Sequence, residues 1–74
     1  MSNLKKVLTA IHEAAALNNS TEVVASNADL AELGNITSPT WEVEVRRSVR
    51  LLVERGMLGR RYDELTGERV LVLR

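Results

Sequence analysis

The stretch LLVERGMLGRRYDELTGERVLVLR (Leu51–Arg74) decides how this chain is read. Its first residues finish a helix, and Gly56 supplies a tight exit. Leu58–Tyr62 and Glu68–Leu73 are strand candidates around the polar loop Asp63–Gly67, whose Asp and Gly suit a chain reversal. In the last strand Val70 and Val72 point one way and Leu71 and Leu73 the other, so both faces are apolar. A hairpin with one face in water should alternate more cleanly. Either a second copy of the protein covers one face, or a small sheet wraps the core and leaves little of either face exposed.

Upstream of the hairpin, Ser38-Pro39 reads as a cap followed by proline at the first helical position, opening a long helix over 38–55. At roughly 100° per residue, Trp41, Val45, Val49, Leu52 and Val53 form one apolar stripe. Val43, Arg46, Arg47, Arg50 and Glu54 share the opposite face. Glu42, Glu44 and Glu54 stand three or four residues from Arg46, Arg47 and Arg50, a spacing that allows local ion pairs worth a few tenths of a kcal/mol each. The arginine face therefore has two readings, a ligand-binding surface or an ordinary solvated one.

The first half of the chain is less basic. Leu4, Val7, Leu8, Ile11, Ala14 and Ala15 recur at helical spacing over 3–18, with Ser2 available as a cap. Thr21–Ala25 is a short strand candidate. Ser26 and Asp29 resemble a capping box for a helix over 28–33, and Gly34-Asn35 fits its end. The order is helix, strand, helix, helix, hairpin, in one α+β domain over 1–74.

Composition narrows the function classes. The chain has 74 residues, no Cys and one His, which excludes a disulfide framework and the usual zinc sites. No apolar run approaches the roughly 18 residues that span a bilayer, so a cytoplasmic protein is expected, with no membrane partner. No nucleophile–base spacing or phosphate-binding glycine loop is present, so a non-enzymatic protein without cofactor or metal is expected. His12, beside Ile11, reads as a surface or half-buried residue rather than a ligand or base. Net charge is zero but unevenly spread: residues 1–37 hold two Lys against four acids, or −2, and residues 38–74 hold eight Arg against six acids, or +2.

From about Thr21 onward this order resembles the winged helix-turn-helix domains of transcription regulators. Val45, Val49, Leu52, Gly56 and Met57 keep their aliphatic spacing, and the segment from Leu52 to Leu73 is similar to the helix-to-wing segment of MarR-type regulators. Either the turn over 35–38 is longer than in the compact motif or the third helix gains a turn at its start, and Glu68 stands where a basic residue follows the wing-tip glycine, with Arg69 one place later.

The resemblance implies a small winged helix-turn-helix, three helices plus a C-terminal β-hairpin wing, that binds double-stranded DNA. The long helix would enter the major groove with Thr40, Val43, Arg46, Arg47 and Arg50, while Arg60, Arg61, Thr66 and Arg69 flank the wing. A homodimer is also expected, with Trp41, Leu51, Val70, Leu71, Val72 and Leu73 as candidate contacts to a second copy or to another protein. The competing class is a winged helix that binds a protein instead, such as an accessory protein of a mobile element or virus. Trp41 has a bland role too, as a lid on the edge of the core.

Overall fold

The computed structural model describes residues 3–74, so the Ser2 cap lies outside the described residues. Three helices pack on one side of a three-stranded antiparallel sheet. The order is α1 (Leu4–Leu17), β1 (Glu22–Val24), α2 (Asn27–Leu33), α3 (Trp41–Glu54), β2 (Leu58–Tyr62) and β3 (Arg69–Leu73). Among the described residues no helix is long and apolar enough to cross a membrane.

All three helices stop in the same way. After each C-cap a single residue adopts positive φ: Asn19 at 48°, Asn35 at 54° and Gly56 at 74°. The next residue then donates its N–H back to the helix: Ser20 to Ala15 O at 3.0 Å, Ile36 to Ala31 O at 2.8 Å, and Met57 to Leu52 O at 3.0 Å. These are Schellman ends, in which a left-handed residue lets two otherwise unpaired carbonyls find donors. Asparagine and glycine tolerate that conformation better than other residues. Gly34 therefore is not the reversing residue of α2. Its φ is −84°, and a Cβ there would meet Leu30 O at 3.1 Å and Lys6 O at 3.3 Å. It is small because α1 passes close by.

The starts of the helices differ more. The Ser26 hydroxyl accepts from the Asp29 N–H at 3.1 Å, and Asp29 Oδ2 accepts from the Ser26 N–H at 3.0 Å, a complete capping box. Ser38 does not cap α3. It forms a preceding turn, accepting the Thr40 N–H on its hydroxyl at 3.2 Å and the Trp41 N–H on its carbonyl at 3.0 Å. The helix thus begins at Trp41, two residues later than the Ser-Pro pattern predicts. The residues so released form a long connection, in which Ile36 drops into the core.

The core joins one face of each helix to one face of the sheet. Val7, Ile11, Leu30, Val45, Val49, Leu52, Val23, Leu58 and Leu71 are all essentially without solvent contact. Leu4, Leu8, Trp41, Val53 and Leu73 pack at its rim, which is the covering role for Trp41. The sheet order is β1-β3-β2, with Val23 opposite Leu71 and Leu58 opposite Leu73. β3 is the middle strand, and this changes the reading of its two apolar faces. Leu71 is fully buried against the helices, and Val70, on the other face, is only 3% exposed.

The outer face is partly covered by charged side chains, while Val24 of β1, opposite Val70, stays 57% exposed. Arg61 on β2 forms an ion pair with Glu22 on β1, and the register sets Arg61 beside Val70 and Glu22 beside Val72. The pair consequently crosses β3 above these two valines. The Arg74 guanidinium lies over Gly59 on the same face, 3.0 Å from where a Cβ would stand. Aliphatic stems of arginine cover apolar surface well while their heads stay wet. The expectation that Val70 and Leu71 contact a partner is corrected: both are consumed inside the domain. Val72 and Leu73 are half-buried, as is Leu51.

Two outcomes follow. Leu71→Glu should abolish the cooperative unfolding transition by placing a charge in the core, whereas Gly56→Ala should lower stability by about 1–2 kcal/mol through left-handed strain alone; denaturant titration distinguishes the two. Melting against pH tests the caps. Hydrogen bonds from Ser26 backbone and hydroxyl hold Asp29 below its usual pKa, and the Thr66 and Leu65 N–H groups do the same for Asp63. Both carboxyls are more acidic folded than unfolded, so their stabilisation is whole above the ordinary carboxylate range and fades as pH falls through the folded values. Asp29→Asn should flatten that acid limb.

Candidate nucleic-acid interface

Burying Val45, Val49 and Leu52 fixes the rotation of α3, and its opposite face then carries Val43, Arg46, Arg47 and Arg50 into solvent. The hairpin adds a fifth residue. Arg60 belongs to the sheet face that looks toward the helices, opposite Leu71, but it lies beyond the edge of the core and is exposed. Val43, Arg46, Arg47, Arg50 and Arg60 together line one shallow hollow. Val43 is 41% exposed, an apolar floor among four cations.

The charges in this hollow are mostly uncommitted. Arg50 Nε donates to Glu54 Oε1 at 3.1 Å, an i,i+4 pair on an exposed face. Among the described residues neither Arg46 nor Arg47 makes an ion pair. Glu44, three residues before Arg47, is drawn away to the start of its helix. The Ser38 hydroxyl, then that of Thr40, holds its carboxyl below the usual range. Asn3 Nδ2 donates to Glu44 Oε1 at 2.6 Å and Thr40 Oγ1 to Glu44 Oε2 at 3.0 Å. Glu44 therefore links α1 to the entry of α3, and the Thr40 hydroxyl is occupied there.

The remaining candidates are arranged differently. Arg61 points to the outer sheet face and is held by Glu22. Arg69 turns inward across the sheet edge, donating from Nη1 to Asn27 Oδ1 at 2.8 Å and from Nη2 to the Ala25 carbonyl at 3.0 Å. Burial lowers its pKa from the ordinary arginine value, although guanidinium stays protonated in proteins. These contacts tie the end of the hairpin to the segment that enters α2, so Arg69 is a structural pin. Thr66 accepts the Glu68 N–H on its hydroxyl at 3.2 Å and shapes the tip. Of the arginine and threonine candidates on the hairpin, Arg60 alone joins the α3 face.

Periodicity could find the α3 arginines because they lie on one helix. It could not find Glu22 and Asn27, which capture arginines 39 and 42 residues away. Only the β1-β3-β2 register brings those residues together. The tip has its own character: Asp63, Glu64 and Glu68 are acidic, and Leu65 between them is 97% exposed. Asp63 Oδ1 accepts the Leu65 and Thr66 N–H groups at 2.8 and 3.1 Å, which sets the loop and turns Leu65 outward. Compared with protein-family models, curated proteins and solved structures, the chain matches none.

Proposed function

We propose that this domain is a winged helix that binds double-stranded DNA and acts as a small transcription regulator in the cytoplasm. The observation that carries the reading is the joining of Arg60 from the hairpin to Arg46, Arg47 and Arg50 of α3 in one hollow. A helix presenting three cations and one small apolar side chain, with a fourth cation beside it on the hairpin, suits a major groove. Guanidinium groups pair with phosphates or with guanine edges, and a valine packs on a thymine methyl. The first turns of α3 lie nearest the bases in this arrangement, with Val43 and Arg46 reading sequence and Arg47, Arg50 and Arg60 gripping the backbone.

The contact set is narrower than the sequence pattern implies. Arg61 and Arg69 are already held by Glu22, Asn27 and the Ala25 carbonyl. Three carboxylates at the tip oppose a phosphate backbone. The hairpin in this reading contributes Arg60 and little else, and α3 dominates. A protein-binding reading is favoured by one specific observation, the fully solvated Leu65 at the tip.

A duplex-binding titration at two salt concentrations tests the proposal. Arg46→Ala, Arg47→Ala and Arg60→Ala should each weaken binding, and each lost phosphate contact should reduce the log–log salt slope by roughly 0.9. Arg61→Ala should leave the slope unchanged. Failure of the wild-type protein to bind any random duplex pool at low salt rejects the reading. In the same assay Glu68→Lys should tighten binding and steepen the slope, because it returns a cation to the tip.

A further inference from the structure

The surface carries two patches of opposite sign whose apolar parts also match. One is the hollow of Val43, Arg46, Arg47, Arg50 and Arg60. The other is the loop between β2 and β3, where Glu64 and Glu68 flank Leu65 and Asp63 adds a third carboxylate. Within residues 63–68 there is no basic side chain to offset them. A Leu side chain that is 97% exposed at the end of a hairpin gains by insertion into any apolar depression. Val43 provides such a floor, and the surrounding guanidinium groups are complementary to the carboxylates around Leu65.

We infer that the acidic hairpin tip of one copy docks in the arginine hollow of a second copy. The committed occupant is this chain itself, chosen because the protein carries both halves of the complementary pair and has zero net charge, so copies do not repel one another overall. The tip and the hollow are different parts of the surface, built from different residues. Tip-in-hollow contacts therefore join copies head to tail, or reciprocally when the rotation closes. This contact differs from one made through β3, where Val70 is buried and Val72 half-buried inside the domain. It also gives the hollow a regulator: a docked tip occupies Val43 and the arginines and excludes any other anionic ligand. Only that last consequence rests on the DNA-binding reading.

Sedimentation of the intact chain, from micromolar to millimolar protein and at low and high salt, provides the test. The wild type should self-associate at low salt and dissociate as salt screens the patches. Two tip variants alter only exposed side chains, Leu65→Ser and the pair Glu64→Lys with Glu68→Lys. Each should weaken association at least tenfold. Arg46→Glu with Arg47→Glu should do the same from the other side. Mixing the Lys-tip variant with the Glu-hollow variant should restore association between the two. A wild type that stays monomeric at low salt overturns the inference, and so does association that both tip variants leave unchanged. Duplex titration of the monomeric Leu65→Ser variant separates the two readings. Duplex binding without self-association in the wild type removes this contact and keeps the DNA reading. Self-association that follows the charge swap, without duplex binding, does the reverse.

Discussion

The whole domain depends on burying β3 on both faces, although helices cover only one side of the sheet. Leu71 meets the core beneath, and Val70 and Val72 lie on the side where no helix packs. A three-stranded sheet gains independent stability from a helix layer on one face, but a middle strand with apolar residues facing both ways demands a second cover. The Arg61–Glu22 pair supplies it by crossing the strand, with Arg74 closing the corner over Gly59. Exposed ion pairs contribute little through charge alone. The value of this one lies in the hydrocarbon it lays over valine.

That constraint sorts the arginines. The chain places all eight in its second half, and a count of charge treats them alike. Folding does not. Arg61 and Arg74 serve the outer sheet face, Arg69 pins the hairpin to the segment before α2, Arg50 leans on Glu54, and Arg55 sits at the C-cap of α3. Arg46, Arg47 and Arg60 are left to define a cationic surface together with Arg50 and Val43. The proposed DNA contact is thus a smaller affair than a basic half-chain suggests.

Local patterns in the sequence were sufficient wherever the physics was local. The stripe on α3, the capping box at Ser26 and Asp29, the exit at Gly56 and the hairpin around Asp63–Gly67 are all readable from spacing. The start of α3 departs from its local pattern: Ser38-Pro39 has the composition of a cap, but the Ser38 hydroxyl serves a turn and the helix waits for Thr40. The double apolar face of β3 was legible as a puzzle but not as a solution. Its cover comes from Glu22, whose relation to Arg61 exists only through the strand order. The same holds for Asn27 and Arg69. Non-local pairings leave no periodic trace.

β1 draws a further consequence from its length. It has three residues, and its partner strand begins 45 positions after it ends. β1 cannot join the sheet until the intervening loop has been closed, at an entropic cost incurred before any contact rewards it. The helices and the β2–β3 hairpin are local structures that form in microseconds or less. Docking of β1 onto β3 is instead a long-range encounter, and it sets Val23 opposite Leu71. Among small two-state domains, such long-range pairings slow folding more than added chain length does.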